Sequence, residues 1–167
     1  MSEPAVGMRG FELRPATAAD AEPGGLLHRE CWRETYGPLV DPSLLAARLG
    51  DPLDWVERWR TIIAHRPPLL AVHGDEPVAF AMAGPARRDD APTAYELYAL
   101  YALEAWHGSG VGQALFDAAV GQKPCYAWVL EANQRARAFY AKQGMVPDGM
   151  RKRYDPLDAW ELRVTRS

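Results

Sequence analysis

The sequence predicts a mixed α/β fold of about seven strands and four or five helices. Three observations predict it. The run Tyr95-Glu96-Leu97-Tyr98-Ala99-Leu100-Tyr101-Ala102-Leu103 has the aromatic and aliphatic bias of a strand and leads into a glycine loop. Beyond that loop, Val111, Leu115, Ala118 and Ala119 recur at helical spacing. Residues 69–73 and 77–83 read as two strands joined by the tight turn Gly74-Asp75-Glu76.

Taken in order, residues 11–14 form a short strand closed by Pro15. Thr17 with Ala18-Ala19-Asp20 reads as an N-cap and acidic first turn of a helix running to about Cys31, which Pro23-Gly24-Gly25 should interrupt. Trp32, Tyr36, Leu39 and Val40 follow in a segment containing Gly37-Pro38. Pro42-Ser43 opens a helix to Leu49 and Asp51-Pro52 another to His65, the latter with Leu53, Val56, Trp59, Ile62 and Ile63 on one stripe. Arg87-Arg88-Asp89-Asp90 marks an exposed loop tip before the strand over 95–103. Residues 125–130 form a strand, Asn133 opens a helix to about Gln143, and Gly144 stops it. Two strands, over 145–154 and 160–165, close the chain around Asp155-Pro156-Leu157-Asp158.

At 167 residues the chain is expected to form one domain spanning 1–167, with 48% hydrophobic residues to build a core. A net charge of −3 gives no global field toward nucleic acid or an anionic membrane. Cys31 and Cys125 are far apart, so they read as free thiols of a reducing cytoplasm. Residues 1–9 lack the apolar core of a signal peptide, and nowhere do eighteen apolar residues run together. His28, His65, His73 and His107 have no ligand spacing among themselves or with the cysteines, so no metal is expected.

The loop Trp106-His107-Gly108-Ser109-Gly110-Val111-Gly112 holds three glycines in five residues where a strand turns into a helix. Glycine clears side chains from the first helical N–H groups, which have no partner inside the helix and carry the positive end of its dipole. Such a loop suits a phosphate; it also serves as a bare strand-to-helix connection. A P-loop would need Gly-Lys-Ser/Thr here, but Gln113 and Ala114 follow Gly112. A dinucleotide fold would place its glycines after the first strand, and this loop lies past the middle of the chain. What remains is a pyrophosphate held by backbone alone.

With these residues in view, the sequence resembles the GNAT superfamily of acetyl-CoA-dependent N-acetyltransferases. The resemblance runs from about Phe11 to Thr165 and rests on two signatures in the expected order. One is the Arg/Gln-x-x-Gly-x-Gly/Ala loop, present as His107-Gly108-Ser109-Gly110-Val111-Gly112, with His107 departing from the pattern. The other is Asn-x-x-Ala-x-x-x-Tyr, present as Asn133-Gln134-Arg135-Ala136-Arg137-Ala138-Phe139-Tyr140 and followed by Gly144-Met145. Leu13-Arg14-Pro15-Ala16-Thr17, Trp32 and Tyr36 add weaker support.

The resemblance implies a mostly antiparallel sheet whose central strands, ending near Leu100-Tyr101-Ala102 and Leu130, splay apart. Pantetheine then fills the gap as if it were another strand, with Asn133 against it and the pyrophosphate on amides from Gly108 to Gln113. Acetyl-CoA is thus the implied co-substrate, and transfer to a primary amine of a small molecule or peptide is direct. Tyr140 would protonate the departing thiolate, while a strand amide between Leu100 and Ala102 stabilises the oxyanion. Taken without the Asn133 signature, Tyr140 reads as a core aromatic beside Phe139.

For the base the sequence offers Glu96, which shares a face with Tyr98 unless a bulge breaks parity, and beyond it Glu131 and His28. Enzymes that acetylate the N-terminus of a ribosomal protein carry Glu five residues before the motif Asn, where this chain has Trp128. Trp32, Tyr36 and Tyr98 are expected to line the acceptor pocket. Arg135, Arg137, Lys142 and Arg151-Lys152-Arg153 read as solvated surface. Rival readings are a silent acyl-CoA-binding sensor or scaffold of the same fold, and a tRNA-acetylating toxin, which the acidic balance disfavours. A homodimer through the C-terminal strands fits this architecture.

Overall fold

The computed structural model describes residues 10–167, so the expectation placed on residues 1–9 lies outside them. Strand β1 (Glu12–Pro15) leads through a 3-10 turn to α1 (Ala21–Tyr36), α2 (Pro42–Leu49) and α3 (Pro52–His65). Strands β2 (Leu69–His73), β3 (Glu76–Pro85) and β4 (Tyr95–Ala102) follow, then α4 (Val111–Ala119), β5 (Cys125–Leu130), α5 (Gln134–Lys142), β6 (Val146–Tyr154) and β7 (Ala159–Arg166). The seven strands form one sheet in the order β1-β2-β3-β4-β5-β7-β6. Every neighbouring pair is antiparallel except β4 with β5. The predicted mixed, mostly antiparallel seven-stranded sheet is therefore the observed one.

Local chemistry sets the helix starts. The Asp41 carboxylate accepts the Ser43 and Leu44 N–H groups, and that of Asp51 accepts the Leu53 N–H, each with Pro at the first helical position. On α3 the buried stripe is Trp55, Val56 and Trp59, whereas Leu53, expected on it, is 67% exposed.

The expected break at Pro23-Gly24-Gly25 does not occur, because α1 runs unbroken from Ala21 to Tyr36 and carries Trp32 within it. Pro23 falls in the first turn, where a missing N–H costs no bond. The glycines let α3 approach closely. A Cβ on Gly25 would lie 2.8 Å from the Trp55 carbonyl and the Val56 Cα, and one on Gly24 2.2 Å from the Trp59 ring.

Apolar side chains fill both faces of the sheet. Phe80, Ala99 and Tyr101 pack with Leu27, Cys31 and Trp59 on the α1/α3 side. Leu97 packs with Phe116, Val129 and Tyr140, and Ala79, Ala81 and Leu100 with Val111 and Leu115, on the α4/α5 side. The register of β3 on β4 slips between Met82↔Ala99 and Ala83↔Leu97, leaving Tyr98 as the extra residue of a bulge. The slip puts Leu97 and Leu100 on one face and Ala99 and Tyr101 on the other, so simple alternation fails across Tyr98.

Candidate active site

The parallel strands β4 and β5 meet in a single register pair, Glu96↔Tyr126. Beyond it, among the described residues, they share no ladder, and the sheet opens toward Ala102 and Leu130. The two ends of this seam differ in chemistry.

At the closed end, Glu96 is 2% exposed and its carboxylate accepts four hydrogen bonds. They come from the Arg87 N–H at 3.2 Å, the Arg87 guanidinium at 3.2 and 2.8 Å, and the Tyr126 hydroxyl at 2.8 Å. Burial raises the Glu96 carboxyl, but the bonds from Arg87 and Tyr126 and the Arg87 charge overturn that and hold it below the ordinary glutamate range. The loop tip is exposed as expected, and from it Arg87, with its side chain 60% exposed, reaches in to the buried Glu96 carboxylate. A carboxylate that already accepts four hydrogen bonds and is held below the ordinary glutamate range is a poor base, which argues against the role expected of Glu96. Tyr98 belongs to the same clasp: its hydroxyl donates to the Pro85 carbonyl, and Arg87 lies 4.1 Å from its ring. It does not join Trp32 and Tyr36.

At the open end the Tyr36 and Tyr101 hydroxyls are 2.5 Å apart. Burial pushes the Tyr36 phenol up to about 12 and that of Tyr101 well above its ordinary value. Tyr140, on α5, is 7% exposed; burial, with Tyr36 and Cys125 nearby, drives its phenol far above its ordinary value. Its proton is therefore retained at any physiological pH. Trp32 stacks edge-on against Tyr36 at 4.8 Å and near Tyr154 at 6.3 Å, and its buried indole N–H has no hydrogen-bond partner among the described residues.

The glycine loop enters α4 with Gly108 and Gly110 at φ 78° and 88°, a region that L side chains rarely adopt. Ser109 stiffens the turn: its hydroxyl donates to the Trp106 carbonyl at 2.6 Å and accepts the Val111 N–H at 3.3 Å. Gly112 keeps space beside Phe139, whose ring would lie 3.5 Å from a Cβ at that position. The Gln113 side chain exchanges amide hydrogen bonds with Gln143, linking α4 to the end of α5. His107 Nε2 lies 3.1 Å from the Ala102 carbonyl, and Nδ1 contacts the Arg135 guanidinium. Arginine only donates, so the ring is neutral with its proton on Nε2; burial and the Arg135 charge lower its pKa accordingly. The histidine thus ties the end of β4 to α5. Asn133 Oδ1 caps α5 by accepting the Ala136 N–H at 3.1 Å.

Neither remaining base candidate from the sequence enters the seam. His28 is walled by Trp55, Trp59 and Phe80, accepts the Trp59 indole N–H at 3.2 Å, and is pushed down to about 3 by burial and the charges of Arg58 and Arg48. Glu131 pairs with Arg151 at 2.6 Å on the surface. The sequence also passed over Tyr126, Tyr154 and Glu161 and read Arg87 and Lys152 only as surface charge, since none of the five carries a local signal. Among the described residues no group of three His, Cys, Asp or Glu could hold a metal ion, and no helix is long and apolar enough to cross a membrane.

An open parallel seam, a backbone-lined glycine turn into a helix and a buried tyrosine beside them define an acyl-transfer architecture. Residues 27–145 match the sequence profile of the acetyltransferase (GNAT) family. The chain is also 30% identical over 154 residues to a Mycobacterium tuberculosis protein named "Probable N-acetyltransferase Rv2775", covering 88% of this chain and 86% of that one. The chain belongs to the GNAT acetyltransferase family. Among solved structures, the PaiA N-acetyltransferase of Thermoplasma acidophilum, in complex with coenzyme A, superposes with TM-score 0.74 at 18% identity, covering 94% of this chain and 99% of that one. The structure of yncA from Salmonella typhimurium, with its cofactor acetyl-CoA, gives 0.68 at 15% identity, covering 95% and 94%. These two likenesses establish the shared fold.

Proposed function

We propose that the chain moves the acetyl group of acetyl-CoA directly to a primary amine of a small molecule or peptide, within one domain spanning 1–167. The observation that carries this reading is the seam, closed at Glu96↔Tyr126 and open beyond it. An extended, amide-bearing chain fits such a gap by taking the place of the missing strand. The β4 edge at Leu100, Tyr101 and Ala102 would hold the pantetheine arm together with Asn133. The amides from Gly108 to Gln113 would take the pyrophosphate, with Arg135 beside His107 adding positive charge.

Acetyl-CoA supplies an activated thioester carbonyl. A strand amide between Leu100 and Ala102 would donate to the oxygen that becomes negative as the amine adds. Tyr140, fully protonated because buried, is suited to give its proton to the sulfur as the C–S bond breaks. Trp32 and Tyr36 would receive the body of the acceptor on the opposite face. A homodimer belongs to this reading, supported by the outer position of β6 and by exposed Val146, Met150 and Trp160. The buried free thiols Cys31 and Cys125 favour a cytoplasmic location.

The test is thiol release from acetyl-CoA over a panel of amines and peptides, with products identified by mass spectrometry. Amine-dependent release and an acetylated product are expected. Tight acetyl-CoA binding without amine-dependent release would instead mark a sensor or scaffold.

A further inference from the structure

We propose that Glu161 of β7 is the base that takes the proton from the acceptor's ammonium group, a role that rests on the acetyl-transfer reading above. Glu161 is paired with Leu130 of β5 on one side and Lys152 of β6 on the other. Directly paired residues point to the same face of a sheet. Leu130 packs with Tyr36, Trp55 and Leu157, and Tyr101 against them, so Glu161 opens onto the α1 face at the open end of the seam. Its charge reaches Tyr36, whose phenol it helps to raise. Tyr36 in turn acts on Tyr140 across the seam. An acid on α5 and a base on β7 thus flank the gap from opposite faces of the sheet.

The contrast with Glu96 is what singles Glu161 out. Its side chain is only 12% exposed, yet among the described residues no group donates a hydrogen bond to its carboxylate. The nearest charge is Lys152 Nζ at 4.0 Å, itself 4.1 Å from the Trp128 ring. Burial raises the Glu161 carboxyl above the ordinary glutamate range, and Lys152 only partly holds it back. The charged and titratable groups facing the site are Lys152 and Tyr154 on β6, Tyr36 on α1, Tyr101 on β4 and Arg48 on α2, with Arg87, Arg88 and Glu96 acting on Lys152 from beyond. A buried carboxylate short of donors offers its free lone pairs to an incoming ammonium. On β5 the same face presents Trp128, so β7 supplies the carboxylate that β5 lacks.

The step balances without any further reactant. An ammonium N–H bond breaks, its electron pair stays on nitrogen, and the proton goes to a Glu161 oxygen. The nitrogen then bonds to the thioester carbon as the carbonyl electrons move to oxygen; when they return the C–S bond breaks, the sulfur takes the Tyr140 proton, and the nitrogen releases its second proton to solvent to leave the neutral amide. Solvent afterwards removes the proton from Glu161 and returns one to Tyr140.

The experiment uses the full chain and whichever amine of the panel supports the fastest thiol release. Glu161→Gln should lower kcat/KM by about 10²-fold or more near neutral pH and abolish the acidic limb of the pH profile. Acetyl-CoA affinity by calorimetry and the melting temperature should stay near wild type. Glu161→Asp should keep the limb at a reduced rate, and it decides the matter if Glu161→Gln does not fold. A raised KM with unchanged kcat would overturn the proposal, since Glu161 would then only hold the ammonium. So would an unaltered pH profile in Glu161→Gln, or a Glu161→Asp that has lost the acidic limb. A wild-type protein that binds acetyl-CoA but acetylates no amine defeats the proposed function, and the base with it. An active wild type with an indifferent Glu161→Gln defeats the base alone.

Discussion

The closed and open ends of the β4–β5 seam lie on the same two strands and solve opposite problems. At the closed end Glu96 is buried with four hydrogen bonds, so its charge is well compensated and its carboxylate clasps the two halves of the sheet at the one register pair that joins β4 to β5. At the open end the strands part, three tyrosine hydroxyls gather, and Glu161, its side chain 12% exposed, has only a distant lysine for company. Polar saturation distinguishes the two. A buried polar group with all its bonds made builds structure, whereas one left short is costly unless a ligand completes it. Exposure separates the two only modestly, the Glu96 side chain being 3% exposed and that of Glu161 12%.

The comparison can be broken at three points. The largest effect is expected from Tyr140→Phe, which removes one hydroxyl and leaves the ring in its place beside Phe139. Turnover should fall by roughly 10²–10⁴ while fold and acetyl-CoA affinity persist. Steady-state kinetics within threefold of wild type would make Tyr140 a core aromatic and the open end less polar in function than it looks.

Glu96→Ala should act on stability. It strands the buried Tyr126 hydroxyl and the Arg87 guanidinium, whose side chain is 60% exposed and finds water. Discounting for that exposure, the loss should be about 2 kcal/mol in denaturant unfolding. The folded-state pKa of Glu96 is lowered, so its contribution is present above the ordinary glutamate range and fades as pH falls below it. The variant should therefore lose less stability on acidification than wild type. A variant of normal stability and pH response, inactive toward amines, would return the base to Glu96.

The smallest effect is expected at the loop. Gly110→Asp puts a carboxylate where the pyrophosphate is expected, at a position whose φ is 88° and where a Cβ meets open space. Acetyl-CoA affinity should weaken by about tenfold or more, ~1.4 kcal/mol. Calorimetry on the folded variant checks this, and unchanged affinity would reduce the loop to a turn.

Much of the fold could be read locally. The Asp-Pro helix starts, the hairpin at Gly74, the stop at Gly144 and the strand–glycine–helix passage each depend on a few adjacent residues, and each is where the sequence places it. Asn133 and Tyr140 are legible for the same reason, standing at fixed spacing on one helix. Expectations failed where a distant partner intervened. Gly24 and Gly25 read as a break, yet they are the floor on which Trp55 and Trp59 rest. Glu96 and Tyr98 do stay neighbours around Arg87, but the bulge at Tyr98 turns the rest of the strand, so that Ala99 and Tyr101 face α1 where alternation would not put them.

By itself, then, the sequence determined the element types, their order and the two motifs, because backbone preference and capping are settled within a turn or two of chain. Only the tertiary structure decided which carboxylate is saturated and which is left free. Glu96 meets Tyr126 30 residues away, Tyr36 meets Tyr101 across 65, and Glu161 faces Leu130 through strand register. Register is fixed by the burial of whole faces, a property that no single stretch of the chain contains.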